Sequence, residues 1–181
     1  MPKEKILRVK NSYNAGDLIT MLAGLQYLYN TFGIKTVIYQ RINAPAFYYE
    51  GATHPVKHGG KDVCMNMDVW CRMKKLMLAQ PYIERWELWN GEKVDIDLDT
   101  AREGKSIPMP YGSIHHWVWM VVPELTCDLS RAWIHCDKLQ GDYIVLNRTS
   151  RYHNPSISYY FLKKYEDKVI FAGTKDEHTA M

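Results

Sequence analysis

No stretch limits what this chain can fold into more than Ile6 to Leu28, ILRVKNSYNAGDLITMLAGLQYL, which reads as strand, turn and helix in one pass. Ile6, Leu7 and Val9 form a short apolar run of the kind buried strands use, and Asn11, Ser12, Asn14 and Gly16 break it. Beyond Gly16, the residues Leu18, Ile19, Leu22, Leu25 and Leu28 recur at helical spacing, which predicts a helix from near Asp17 with one face laid on a sheet. A strand that feeds a helix through so few residues begins a parallel α/β unit. Its junction turns backbone N–H groups and the positive end of the helix dipole toward the crevice at the strand's carboxyl end, where such sheets bind ligands.

Asp17 has two readings there. It is either a first-turn acid that suits the dipole and needs no function, or a carboxylate at the mouth of the crevice acting as a general base. The glycines do not form G-x-G-x-x-G, and G-x-x-x-x-G-K-[ST] occurs nowhere, so neither dinucleotide binding nor a P-loop is indicated.

With 46% apolar and 24% charged residues, the 181-residue chain has the composition of a globular protein able to bury a core. A formal charge of +3 and no basic run longer than Lys74-Lys75 or Lys163-Lys164 give no reason to expect a nucleic-acid partner. The N-terminal MPKEKILRVK lacks the apolar region of a signal peptide and no stretch approaches a membrane span, which predicts a cytoplasmic protein. Cys64, Cys71, Cys127 and Cys136 lack metal-ligand spacing, so free buried thiols are expected and no metal or cofactor is assigned. An aromatic share of 13% suggests stacking surfaces as well as core.

Ile34 to Gln40 reads as a second strand, parallel to the first by the crossover rule and closing a Rossmann-like βαβ unit. Arg41 to Lys61 reads as a loop with a short helical piece at Ala46 to Tyr49, and Pro55, Gly59 and Gly60 argue that His54 and His58 are solvent-facing loop residues rather than a metal pair. Met65 to Gln80 reads as an amphipathic helix and Tyr82 to Trp89 as a half-exposed strand. In Val94 to Leu98 the alternation leaves Asp95, Asp97 and Asp99 on one side, which favours the solvated face of an edge strand over a divalent-cation site. Arg102 to Ser113 reads as a loop. Ile114 to Val122 fits a helix or a strand, with His115 and His116 at its start in capping or core roles rather than in contact with an acceptor.

The polar link through Gly141 predicts a domain boundary, with domains at 1–138 and 139–181. Tyr143 to Asn147 opens a second strand–turn–helix unit: a loop from Arg148 to Asn154, a helix from Asn154-Pro155 to about Tyr165, and a strand from Lys168 to Ala172. Arg148, Thr149, Ser150 and Arg151 are suited to a phosphate, since guanidinium groups bind it through bidentate charge-assisted bonds. Thr174-x-x-Glu177 is a capping-box pattern announcing a helix close to Met181, so the second domain is expected to be incomplete and to promote self-association.

Taken together, Gly16-Asp17-Leu18-Ile19 after the first strand and the strand, basic loop, helix and Gly173-Thr174-Lys175-Asp176-Glu177 of the second unit resemble GT-B glycosyltransferases, closest to the ADP-heptose:lipopolysaccharide heptosyltransferase-like family. The resemblance covers both ends of the chain and little between residues 42 and 138. It implies an N-terminal Rossmann-like, acceptor-side domain and the start of a nucleotide-sugar-binding domain. It further implies sugar transfer from a nucleotide-sugar to a glycan or other hydroxyl acceptor without a required metal. In that reading Asp17 is the base, and Asn14 and Gly16 form the acceptor-side loop. The donor phosphates fall to Arg148, Thr149, Ser150, Arg151, Gly173 and Thr174. The family usually places a lysine where this loop has arginines. The alternative is a non-catalytic binding or assembly module that retains the scaffold.

Overall fold

A computed structural model describes residues 5–48, 55–102, 127–137, 141–147, 156–173 and 175–179. The chain divides into two compact units, Met1–Tyr48 with Pro55–Cys136, and Tyr49–His54 with Asp137–Met181.

The first unit is α/β with a four-stranded parallel sheet. In it β1 (Ile6–Asn11) is followed by α1 (Ala15–Phe32), β2 (Lys35–Gln40), the hairpin strands β3 (Lys57–His58) and β4 (Lys61–Asp62), and α2 (Met67–Leu78). β5 (Ile83–Leu88), β6 (Ile96–Asp97) and a 3-10 turn at Leu98–Arg102 complete it. The strand order is β5-β2-β1-β6, with Val9 beside Ile38 on one flank of β1 and beside Ile96 on the other. The chain adds strands to one side of β1 and then returns to the other, so the order reverses at β1. In parallel sheets the crevice at that reversal is the usual ligand site.

α1 forms where its apolar periodicity predicts, but it begins at Ala15, because Asn14 rather than Asp17 is the N-cap: Asn14 Oδ1 accepts from Asp17 N at 3.0 Å. Leu18, Met21, Leu22, Leu25 and Leu28 lie buried against the Val9 and Ile38 face of the sheet, with Tyr82, Ile83 and Trp86 in the same core. Gly33 ends the helix in the left-handed conformation, φ 67°, and donates its N–H to Tyr29 O. α2 is shorter than its sequence pattern because Asn66 caps it, accepting from Val69 N at 3.0 Å, and it ends at Leu78.

Alternation along β5 is interrupted. Thr36 pairs with Ile83 but Val37 pairs with Arg85, and this bulge leaves both Glu84 and Arg85 exposed while Ile83 and Trp86 are buried. No helical piece forms at 46–48; Pro45 instead bridges Val63, and His58 is an exposed strand residue rather than a loop one. Nor are the cysteines uniformly buried: all four are free, with Cys71 and Cys136 exposed.

In the second unit β7 (Ile144–Leu146) pairs in parallel with β8 (Val169–Phe171), and α3 (Lys175–Thr179) follows. The α-helix expected from Asn154-Pro155 to Tyr165 is corrected over its described part. Residues 156–159 are not α-helical, and Tyr160–Lys168 is 3-10 with a break at Tyr165, φ −123°. None of this unit's described residues is buried, and Tyr160 and Phe161 are 76% and 60% exposed. Among the described residues, no helix is long and apolar enough to cross a membrane. Arg148 to Arg151, Thr174, His54, His115, His116 and the Ile114–Val122 segment lie outside the described residues.

Candidate functional site at the carboxyl edge of the sheet

The candidate site lies at the ends of β1 and β2 and the turn into α1. Asn11 and Gln40, the last residues of these strands, are fully buried, and Asn11 Nδ2 donates to Gln40 Oε1 at 2.9 Å. Gln40 Nε2 in turn donates to Arg41 O at 3.1 Å and Tyr13 O at 3.4 Å. On the β6 side, Ser12 donates both N–H and Oγ–H to the Asp99 carboxylate, at 2.7 and 2.6 Å, and the Tyr13 hydroxyl donates to Asp99 O.

The acidic triplet flanks an edge strand, as expected, with Asp95 exposed, but its carboxylates are also bonded to β1 and the turn after it. Asp95 Oδ2 accepts from Arg8 N at 2.8 Å, and Lys10 Nζ lies 2.8 Å from both Asp97 Oδ2 and Asp99 Oδ2. These carboxylates tie the short edge strand to β1, with an ammonium where a cation site would hold its ion, and the Trp89 ring lies 5.0 Å from that ammonium. Burial by itself lowers the Lys10 pKa, but its bonds and ion pairs with Asp97 and Asp99 outweigh this and hold it above 10.5. Among the described residues no group of three His, Cys, Asp or Glu side chains could hold a metal.

Asp17 sits in the first turn of α1 and is only 5% exposed, where its charge favours the helix dipole. Asn14 is half-buried and occupied as the cap; Gly16 is exposed, and a Cβ there would meet nothing nearer than Asn14 Oδ1 at 3.5 Å. Asn14, Gly16 and Asp17 are therefore brought together at the crevice. Gly173 stands apart in the second unit, where a Cβ would come within 2.7 Å of the Phe171 ring, so close packing accounts for that glycine.

Sequence reasoning missed Asn11, Gln40 and Lys10 as site residues, and it singled out Asp99 without its bonds to Ser12 and Lys10. The signal for the two amides was present: each is the polar residue that ends a parallel strand, at the edge where such a sheet meets a ligand or solvent. A separate pocket of about 250 Å³ lies along the later turns of α1, between Gln26, Tyr27, Asn30 and Thr31 and the Asp128–Arg131 ion pair. It shares no residue with the crevice. There the Ser130 hydroxyl and N–H, then Arg131, hold Asp128 below the usual carboxylate pKa.

The fold and this edge define an α/β protein with a parallel central sheet, whose carboxyl edge is closed by the hydrogen-bonded side chains of Asn11, Gln40, Ser12 and Asp99. No known family, curated protein or solved structure matches the chain.

Proposed function

We propose that this chain carries a GT-B-type sugar-transfer scaffold that moves a glycosyl group from a nucleotide-sugar to a hydroxyl acceptor. The observation that supports it is the position of Asp17, in the first turn of α1 at the carboxyl end of the strand where the sheet order reverses. The acceptor's O–H proton passes to the Asp17 carboxylate as its oxygen bonds to the anomeric carbon. The bond from that carbon to the diphosphate oxygen breaks, and the diphosphate leaves with the electron pair. Arg148 and Arg151, with Thr149, Ser150, Gly173 and Thr174, are assigned to the departing charge on sequence grounds.

Turnover with ADP-, UDP- and GDP-sugars, compared between the native chain and Asp17→Asn, tests the proposal. A loss of at least about 100-fold with an unchanged melting curve is expected for a general base. Turnover unaffected in a folded variant refutes the assignment. The 5% exposure of Asp17 favours a second reading, a non-catalytic binding or assembly module in which this carboxylate only supports the helix. Calorimetric titration with the same nucleotide-sugars, with Arg148→Ala/Arg151→Ala as control, separates the two, because a donor site requires binding that the control loses.

A further inference from the structure

Gln26, in the middle of α1, is 7% exposed and lines the cavity of about 250 Å³ that this helix forms with Asp128 and Arg131. Its amide has a fixed sense. Ala132 O requires a donor and so takes Nε2, at 3.0 Å, and His135 Nε2 lies 3.2 Å from the same nitrogen. Oε1 is left with no hydrogen-bond partner among the described residues, and unlike Asn11 Oδ1 it is not sealed from the surface. Side chains buried this deeply normally have their acceptors matched, so an open one in a cavity wall marks a place for a ligand's donor.

The turn that carries Asp128 and Arg131 supplies the charges. Arg131 Nε lies 3.1 Å from Asp128 Oδ2, and the two terminal nitrogens of Arg131 make no hydrogen bond among the described residues. They form an open fork of the kind that grips a carboxylate. Asp128 is kept ionised by the Ser130 hydroxyl and N–H and then by Arg131. The lining residues therefore present one cation, one anion and one buried neutral acceptor, with no net charge. A phosphate or a second carboxylate would face Asp128 without a cation of its own. A net-neutral ligand that brings a carboxylate and an ammonium satisfies all of these groups. Size narrows it further: a cavity of about 150 Å³ holds benzene and drug-sized ligands take about 300 Å³ or more, so this one suits a single small molecule and excludes a nucleotide-sugar.

We infer that this cavity binds a free α-amino acid with an uncharged side chain, its carboxylate on the Arg131 guanidinium and its ammonium on Gln26 Oε1 and the Asp128 carboxylate. The site is separate from the sheet edge assigned to sugar transfer, and the two readings stand or fall independently.

The test is an NMR titration of the full chain with glycine, alanine, serine and leucine, following the Gln26 side-chain amide, with calorimetry for affinity. Alaninamide lacks the carboxylate, N-acetylalanine lacks the ammonium, and methyl glucoside offers hydroxyls with neither charge. Arg131 is 75% exposed and its ion pair lies at the surface, so Arg131→Gln removes the cation with little effect on folding. The expected result is that at least one of these amino acids shifts the Gln26 amide and binds Arg131→Gln about tenfold or more weakly, the loss of a hydrogen bond to a charged group. Alaninamide and N-acetylalanine should bind the native chain more weakly than alanine. A Gln26 amide that none of the amino acids moves at millimolar concentration overturns the inference. So does equal affinity in Arg131→Gln, or a cavity that takes methyl glucoside or either blocked derivative as readily as the amino acids.

Discussion

Lys10 joins three parts of the first unit through a single ammonium. Its side chain is 12% exposed, two carboxylates lie 2.8 Å from Nζ, and one of them, on Asp99, also takes both donors of Ser12. Removing the cation leaves the neighbouring Asp97 and Asp99 carboxylates without the ammonium they share. Lys10→Met is expected to cost about 1–3 kcal/mol in urea unfolding at neutral pH, discounted from the full value of a buried pair because Asp97 is 37% exposed. An unchanged midpoint would mean the pair is fully compensated by solvent. The folded pKa of Lys10 is raised, so its contribution is complete below the unfolded lysine value and is lost as pH climbs through the folded one.

Elements were legible in the sequence where one physical signal acted alone. β1, α1 and β2 follow from apolar runs and a 3.6-residue period, and α1 stops at Gly33, whose φ of 67° is a conformation that L side chains rarely adopt. Gly33→Ala is expected to lower stability by about 1 kcal/mol, read as a shift in urea midpoint with unchanged slope. Its Cβ would meet nothing within 4 Å, so a large loss would point to a cause other than backbone strain. Legibility fell where long-range contacts decided. The bulge opposite Thr36 breaks the period of β5, and Asp95 and Asp97 at the edge strand are bonded to β1 by partners 87 residues away in sequence. The candidate site divides in the same way. Asp17 could be singled out from its place after a strand, whereas the Asn11–Gln40 pair spans 29 residues and exists only once two strands are in register.

Across the first unit, the segment 132–135 closes the core as a strap, and Tyr82 is its anchor. Tyr82 is fully buried and donates its hydroxyl to Trp133 O at 2.5 Å, Trp133 Nε1 donates to Ile19 O, and Gln80 holds His135 through both its backbone N–H and its carbonyl. Gln26 Nε2 adds a bond to Ala132 O at 3.0 Å, so the strap is fixed to α1 and to the start of β5 together. Burial pushes the Tyr82 pKa far above 10.0, because a phenolate in this position would lose its water and face a carbonyl oxygen. Between pH of about 10 and 11 the unfolded chain gives up that proton while the native one keeps it. The unfolded state then binds fewer protons, and stability falls as pH rises. Tyr82→Phe separates this effect from that of Lys10 and the remaining tyrosines. At neutral pH it should be less stable by about 1 kcal/mol, the net value of a hydrogen bond, yet its urea midpoint should decline more shallowly above pH of about 10 than that of the native chain. If the two decline in parallel, the buried phenol is not a source of base lability, and the strap is held by packing of Trp133 and Ile134 against the core rather than by its hydrogen bond to Tyr82.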